Sequence, residues 1–394
     1  MSLDKKISAE PDPSIHFLPF SDGGVLYKQG SRRLLVLNQS AAVLWCLLDR
    51  ASTVDELAAA LSKRFAIDLE TAGRDAETAL ELLLNEGFLG EGAAGLSESD
   101  ELPELSATGP EQVEPLQWSF RKTFQTGGHF FELASQHGEV LAPFFALMDH
   151  LLVEEPVTPD TRFRVLKGAE GGWDLCLDGR ILEQGILDAS VLPTILMVNF
   201  ACSCKAMQEK LLFHAAVIRM GGTVTLLPGR TASGKTTLAA ALAARGHLYF
   251  SDELAVMDVE NRMVSPFPLP MSIKPGSVEA LAPLYPELPD RPEFVRPDGK
   301  KVRYIIPLGC RAGRGERTQV GRLVFPKFVQ GAPTGMRELD RADALHNLAK
   351  TGSSNRPLTA GDVEAMIAVV EQAPSFELQF SNLEEAVDLL EKNL

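Results

Sequence analysis

Hydrophobic and polar positions alternate in short runs near the start of the chain, which predicts a small antiparallel sheet. Helical periodicity follows the sheet. SAAVLWCLLDR carries an apolar stripe, and Thr53 and Glu56 form a capping box at the start of the helix predicted over VDELAAALSKRF. A third helix is predicted over about residues 70–87. We therefore predict three strands and three helices, a winged-helix-like module over residues 16–90. The sheet comes from three runs, HFLPF, GVLYK and RRLLVLN.

The segments on either side of this module show no such periodicity. Residues 1–15 are predicted to form an N-terminal tail. Residues 91–115 combine acidic and small residues with prolines and contain no lysine or arginine, a composition typical of a flexible, self-repelling linker. We assign residues 116–394 to one further domain with a mixed central sheet, so the predicted fold class is α/β with an α+β front module.

Within this second domain the pattern is uneven. The runs RFRVLK and GWDLCLDG predict strands, and residues 140–152 predict a helix. Prolines interrupt residues 266–297, which favours a functional loop region over core. The final stretch SNLEEAVDLLEKNL predicts an amphipathic helix capped by Ser381 or Asn382.

The most specific motif lies between a predicted strand, residues 223–227, and a predicted helix, residues 236–244. Glycines of a G-x-x-x-x-G-K-[ST] motif let backbone amides surround phosphate oxygens, the lysine reaches the β- and γ-phosphates, and the hydroxyl binds Mg²⁺. The motif therefore predicts binding of ATP with Mg²⁺. The predicted nucleotide-binding residues are Gly229, Arg230, Thr231, Ala232, Ser233, Gly234, Lys235, Thr236 and Thr237.

Two further features lie at spacings that suit phosphoryl transfer. Downstream, LYFSDELAVMD predicts a strand ending at Asp252 and Glu253, whose carboxylates could hold Mg²⁺ or accept a proton if that strand neighbours the motif strand. Upstream, LLFHAAVI places His214 on a strand predicted to pair beside it. Taken alone, His214 reads as a core histidine and the acidic pair as a turn.

Composition narrows the choice of partners. The chain of 394 residues has a net charge of −15, which argues against binding nucleic acid or an anionic membrane surface. No apolar run approaches the roughly 20 residues that span a bilayer, and the five scattered cysteines fit reduced thiols in the cytoplasm. Seven basic residues could add positive charge for a phosphate, or could form a solvated face: Lys274, Lys300, Lys301, Arg303, Arg311, Arg314 and Arg317.

Taken together, LLFHAAVI, LLPGRTASGKTTLAAALAARGH and LYFSDELAV resemble the HPr kinase/phosphorylase family, whose fold is similar to that of phosphoenolpyruvate carboxykinase. The resemblance runs from His214 through the phosphate loop and Arg245-Gly246-His247 to the acidic pair. It implies that Lys235 binds the transferring phosphate, that Thr236 and Asp252 hold the metal, and that His214 shapes or polarises the site.

Two positions depart from that family. Where the family has a second aspartate as proton acceptor, this chain has Glu253, whose arm is longer by about one C–C bond. Glu253 is a candidate for both base and metal ligand. The family's later acidic metal ligand has no counterpart in FPLPMSIKPGS.

The front module resembles PqqD, a peptide-binding chaperone also called a precursor-peptide recognition element. LLVLNQSAAVLWCLLDRASTVDELAAAL and the later LLLNEGFL carry this resemblance. It implies that a leader peptide adds as a strand along residues 32–37 and packs on the helix over residues 70–87. The alternatives are a degenerate groove that serves docking or dimerisation, and a DNA-binding winged helix, which the acidic third helix disfavours.

Together the two modules predict an ATP-dependent kinase that phosphorylates a serine or threonine of a captured peptide in a peptide-modification pathway. The linker would give the captured peptide a high local concentration at the kinase site. A small-molecule hydroxyl kinase and a nucleotide-gated peptide chaperone without transfer are the alternatives. A homo-oligomer is also compatible with the sequence.

Overall fold

The computed structural model describes residues 13–48, 53–89, 109, 117–307, 311–352 and 356–393. Their contacts divide into two compact units. The first unit holds the described residues of Met1–Asp100, Glu338–Gly352 and Arg356–Phe376, and the second those of Glu101–Arg337 and Glu377–Leu394. Most of the predicted tail and linker lie outside the described residues.

Ten α-helices occur within the described ranges. They are α1 (Gln39–Leu47), α2 (Val54–Phe65), α3 (Leu69–Asn85), α4 (Gly138–Met148), α5 (Asp188–Ala206), α6 (Lys235–Ala244), α7 (Pro275–Leu281), α8 (Arg341–Ala349), α9 (Ala360–Gln372) and α10 (Leu383–Lys392).

Twenty strands occur over the same residues. They are β1 (Ile15–Phe20), β2 (Gly23–Lys28), β3 (Leu34–Asn38), β4 (Phe120–Thr126), β5 (His129–Ser135), β6 (Thr161–Lys167), β7 (Trp173–Leu177), β8 (Arg180–Ile186), β9 (Lys210–Phe213), β10 (Ala215–Met220), β11 (Thr223–Pro228), β12 (Leu248–Ser251), β13 (Ala255–Asp258), β14 (Met263–Ser265), β15 (Met271–Ile273), β16 (Phe294–Val295), β17 (Lys301–Ile305), β18 (Thr318–Phe328), β19 (Gly335–Glu338) and β20 (Ser375–Phe380).

The first unit begins with the predicted strands and helices. Strands β1, β2 and β3 form an antiparallel meander, and α1 packs against β2 while α2 packs against α3. The capping box of Thr53 and Glu56 is present, and Asp68 caps α3. Leu26, Leu57 and Leu83 have no exposed surface, and burial of such a side chain contributes about 1.5–3 kcal/mol. The predicted order of strands and helices is confirmed.

Two helices from near the end of the chain complete this unit. Helix α8 packs against α9 and β3, and α9 packs against β1. The amide of Leu358 donates to the carbonyl oxygen of Ser31 at 2.9 Å, and the amide of Ser21 donates to the Glu371 carboxylate at 3.2 Å. The contacts thus group residues 338–352 and 356–376 with the N-terminal strands, whereas the sequence prediction assigned them to the domain 116–394.

The second unit is built around a nine-stranded mixed sheet. Seven strands follow the order β12-β10-β11-β18-β14-β13-β9, and β20 joins β18 and β19. Strand β11 pairs antiparallel with β10 and parallel with β18. Helix α6 packs on β10 and also contacts α7 and α10. The predicted α/β class with a mixed sheet is therefore confirmed.

A five-stranded sheet, β4-β5-β6-β7-β8, and the long helix α5 form the N-terminal part of this unit. The predicted strands RFRVLK and GWDLCLDG correspond to β6 and β7, and the predicted helix corresponds to α4 and a 3₁₀ turn. Helix α5 has the length and apolar composition of a membrane span, yet it is mostly buried inside the protein and contacts β5 and β7. Burial of that kind is typical of a core helix.

Candidate functional site

The phosphate loop connects β11 to α6. Gly234 occupies the N-cap of α6 with a φ of 94°, a left-handed conformation that favours glycine. A Cβ atom at this position would lie 2.7 Å from Cζ of Phe380. The sequence prediction explained the glycines of the motif by the approach of backbone amides to phosphate, and the structure adds two local reasons at Gly234, backbone conformation and the neighbouring ring. The loop therefore leads directly into the N-terminus of α6, a position that suits the binding of an anion.

Lys235 is buried, with 6% of its surface exposed. Its Nζ donates to the carbonyl oxygens of Gly229 at 2.6 Å and Arg230 at 3.1 Å, and it lies 3.1 Å from Nε2 of His214. Burial lowers the pKa of Lys235, while Glu253 and Asp252 oppose that change. The ammonium is thus held beside the loop by three acceptors.

His214 lies between two strands with different partners. It follows β9, which pairs with β13, and precedes β10, which pairs with β11. The single strand predicted through His214 is therefore two strands, and the predicted pairing beside the phosphate-loop strand is confirmed for β10 alone. Since Nε2 accepts from Lys235, Nδ1 carries the proton. Nδ1 then donates to the backbone carbonyl oxygen of Glu253 at 3.2 Å and lies 3.5 Å from its Oε2. His214 thereby connects Lys235 to Glu253.

The acidic pair follows β12, which neighbours β10 and not β11. The expectation that this strand borders the phosphate-loop strand was therefore wrong by one strand. The pair still reaches the loop because β10 and β12 pair antiparallel beside α6, with Val217 opposite Ser251.

Asp252 and Glu253 differ in their surroundings. Asp252 has 1% of its surface exposed, and its Oδ1 lies 3.0 Å from the hydroxyl of Tyr249. Burial, and then the charge of Glu253, raise the pKa of Asp252 to about 8, while the hydroxyls of Tyr249 and Thr236 oppose the rise. The side chain of Glu253 is 37% exposed. The two carboxylates therefore suit different tasks.

Among the described residues, no cluster of three or more His, Cys, Asp or Glu side chains could hold a metal ion by itself. However, Oδ2 of Asp252 is buried and has no hydrogen-bond partner within the described ranges. Mg²⁺ in kinase sites is held by one or two carboxylates together with substrate phosphates. Asp252, Thr236 and Glu253 fit that donor set.

A cavity of about 610 Å³ brings these residues together. It is lined by His214, by residues 231–237, and by Asp252 and Glu253. Gly229 and Arg230 contribute carbonyl oxygens that hold Lys235. Sequence reasoning did not assign the other lining residues, apart from two candidate basic residues. The unassigned ones are Ser272, Ile273, Gly276, Ser277, Ala280, Arg296, Phe328, Phe380, Ser381 and Leu383.

Residues 266–297 supply one wall of this cavity. Contrary to a loop interpretation, they include β15, α7 and β16. Ser277 of α7 accepts a hydrogen bond from the hydroxyl of Thr237 at 2.8 Å, which ties α7 to α6. The prediction of a functional region is therefore compatible with regular structure there.

The seven candidate basic residues separate into three groups. Lys274 and Lys300 line the cavity, whereas Lys301 and Arg303 form ion pairs with Glu293. The remaining three, Arg311, Arg314 and Arg317, line a different cavity.

The Arg-Gly-His segment after α6 has a structural role. Arg245 forms ion pairs with Asp388 at 2.8 Å and Glu391 at 2.9 Å, and Nε2 of His247 lies 2.9 Å from Glu391. These contacts hold α10 against α6. Arg245 and His247 do not line the cavity, so they affect the site only through the packing of α10 on α6.

Comparison with known families identifies one match. The family Coenzyme PQQ synthesis protein D (PqqD) matches residues 23–89, which cover β2, β3 and helices α1 to α3. The chain therefore carries a PqqD-like domain in its first unit. No curated protein matches the chain.

Among solved structures, the HPr(Ser) kinase/phosphatase from Coxiella burnetii is similar, at 13% sequence identity and a TM-score of 0.22. The alignment covers 46% of this chain and 91% of that one.

Proposed function

We propose that the protein is an ATP-dependent kinase that transfers the γ-phosphate to a serine or threonine hydroxyl of a peptide captured by its PqqD-like domain. The observation that carries this proposal is a single cavity containing the phosphate loop, a buried lysine, a buried carboxylate with an unpartnered oxygen and a half-exposed second carboxylate. A binding site alone would not need the second carboxylate.

Nucleotide binding would use the loop amides and Lys235. On binding, the ammonium of Lys235 would donate to phosphate oxygens in exchange for the carbonyl oxygens of Gly229 and Arg230. Lys274 and Lys300 add positive charge to the cavity. Phe328 is 49% exposed and lines the cavity, and its ring would offer a surface for the base.

Mg²⁺, when bound, would neutralise charge on the β- and γ-phosphates. Thr236 and Asp252 are the residues that would hold it, since Oδ2 of Asp252 has no partner in the described chain. Binding of the cation would also favour the ionised form of Asp252, and so would oppose the rise in pKa that burial and the charge of Glu253 cause.

The proton of the acceptor hydroxyl would pass to Glu253. The hydroxyl oxygen forms a bond to the γ-phosphorus, the bond from that phosphorus to the bridging oxygen breaks, and ADP leaves. Glu253 suits the role of base because its carboxylate is partly exposed at the cavity. His214 positions it, through Nδ1 at 3.5 Å from Oε2.

Peptide capture would use β3 and α3 of the PqqD-like domain, the elements that contain residues 34–38 and 69–85. Within the described chain, β3 pairs with β2 and no other strand, so a peptide could pair along its second edge. Helix α8 also packs against β3, and a bound peptide would have to share that strand with α8.

The test is incubation of the full-length protein with ATP, Mg²⁺ and the peptides encoded beside its gene, followed by mass spectrometry. We expect one peptide to gain the mass of one phosphate on a serine or threonine. Lys235→Ala should abolish the gain, and Lys122→Ala, at an exposed position on β4, should leave it unchanged.

Nucleotide binding without any phosphorylated product, whether peptide or small molecule, would contradict the kinase assignment and favour a nucleotide-gated binding module. Phosphorylation of free hydroxyl compounds in place of peptides would contradict the peptide assignment alone.

A further inference from the structure

A second cavity, of about 480 Å³, lies in the second unit and shares no lining residue with the first. Its wall includes apolar side chains such as Leu151, Met207 and Phe267. It also contains three arginines, Arg311, Arg314 and Arg317. A cavity of this size with an apolar wall and a few converging polar groups is the usual form of a small-molecule site.

Arg311 has a donor group without an acceptor. Its Nη1 is buried and forms no hydrogen bond with any part of the chain that the structure describes. A guanidinium presents five N–H donors, and leaving one of them buried and unpaired is costly. An oxygen-rich anion in the cavity would satisfy that donor.

His150 lines the same cavity and contains a second unpaired atom. Its side chain is 6% exposed, and Nε2 lies 2.9 Å from the carbonyl oxygen of Pro268, so Nε2 carries the proton and donates. Nδ1 is then an acceptor. It is buried without a hydrogen-bond partner in the described ranges, since the nearest carboxylate oxygen, on Asp149, is 3.8 Å away.

The three arginines at this cavity are not neutralised by acidic partners, unlike Lys210, which pairs with Asp258. Arg314 donates to the carbonyl oxygen of Leu152 at 2.5 Å, and Arg317 donates to those of Arg314 and Glu316. None of the three arginines forms an ion pair with a carboxylate among residues 117–307 and 311–352. In a chain with a net charge of −15, such a local concentration of positive charge favours an anionic ligand.

We propose that this cavity binds the phosphoryl group of a small organic phosphate. Guanidinium groups bind phosphate oxygens through paired hydrogen bonds, which suits Arg311 and Arg314. Nδ1 of His150 accepts a hydrogen bond from the hydroxyl of a singly protonated phosphoryl group. Met207 and Phe267 pack against the organic part. The proposal is independent of the kinase assignment.

The probe is phenyl phosphate, titrated calorimetrically into the full-length Lys235→Ala variant so that the phosphate loop contributes little. We expect binding to persist in this variant and to exceed that of inorganic phosphate, because the ring contacts the apolar wall. Adding Arg311→Gln should weaken binding at least about tenfold. Adding Arg180→Gln, at an exposed position on β8, is the matched control and should change nothing.

Should Arg311→Gln fail to fold, two other measurements test whether the second cavity binds the phosphoryl group. Arg314→Gln, at an exposed position, should also weaken phenyl phosphate binding, and the ¹⁵N resonance of Nδ1 of His150 should move on titration. Loss of binding in Lys235→Ala alone would overturn the proposal. So would an unmoved His150 signal, equal binding of benzoate, or inorganic phosphate binding as tightly as phenyl phosphate.

Discussion

Phe328 is the more exposed of the two aromatic residues that line the proposed nucleotide site. Its amide donates to the carbonyl oxygen of Ser233 at 3.1 Å, and its ring lies 5.7 Å from that of Phe380 in an edge-to-face arrangement. Stacking of a base on an aromatic ring contributes about 1–3 kcal/mol. We expect Phe328→Ala to raise the Kd for Mg-ATP about tenfold in calorimetry.

The neighbouring residue provides a control for that measurement. Val329 is also exposed, at 36%, but it does not line the cavity. Val329→Ala should leave the Kd unchanged. Equal Kd values for Phe328→Ala and the unaltered protein would show that the base binds elsewhere.

The two carboxylates should separate in mutant kinetics. Because Glu253 is assigned as base and Asp252 as metal ligand, Glu253→Gln should lower kcat about 10²–10⁴-fold with little change in Mg-ATP binding. Asp252→Asn should weaken the Mg²⁺ dependence of nucleotide binding itself. Single-turnover phosphorylation and calorimetry with and without Mg²⁺ measure the two effects, and the reverse pattern would exchange the assignments.

Sequence alone located the residues of the site whose chemistry is encoded locally. Lys235 stands in a motif of a few residues, whereas His214, Asp252 and Glu253 were selected by their spacing from it together with the resemblance. Phe328 and Phe380 could not be found in this way, because they lie far along the chain and meet the loop only through β18 and β20. An aromatic residue at the end of a strand carries no signal for a base.

At the scale of elements, helix starts were predictable because caps are local. Thr53 and Glu56 form the expected box, and of the two candidates for α10, Asn382 is the cap. Strand partners were not predictable. The run LYFS has the same pattern whether it pairs with β10 or β11, and the choice of β10 depends on contacts made across the whole sheet.

Helix α8 offers a test of the peptide edge. The side chain of Asp340 caps this helix by accepting from the amide of Asp343 at 2.8 Å. Asp340→Ala should cost about 0.5–2 kcal/mol of helix stability. Since α8 packs against β3, we expect this variant to bind the substrate peptide more tightly in fluorescence anisotropy.

The matched control is a cap in the same unit that does not belong to α8. Thr53→Ala removes the cap of α2 at similar cost. It should not increase peptide affinity. Equal affinities for Asp340→Ala and Thr53→Ala would show that α8 does not compete for β3.

At the scale of the molecule, the division into units depends on contacts between distant parts of the chain. The periodicity of α8 and α9 indicates helices, but it does not indicate that they pack on β3 and β1, which lie more than 300 residues earlier. A linear assignment of domains therefore placed them with the adjacent residues of the second unit. The PqqD match over residues 23–89 likewise covers only the first part of the unit.

The pH dependence of stability should reflect a buried histidine in the second unit. His129 has 2% of its surface exposed, with Nε2 3.0 Å from the hydroxyl of Thr161 and Nδ1 3.4 Å from that of Ser203. Burial lowers the pKa of His129 below its ordinary value of 6.5, although Asp160 opposes this. The unfolded chain therefore binds the proton first as the pH falls, so stability is full above about pH 6.5 and declines below it.

We expect His129→Gln to reduce the loss of thermal stability between pH 7.5 and pH 5, measured by scanning fluorimetry. His137→Gln, at a side chain that is 44% exposed, should retain the full loss, and identical pH profiles for both variants would contradict this assignment.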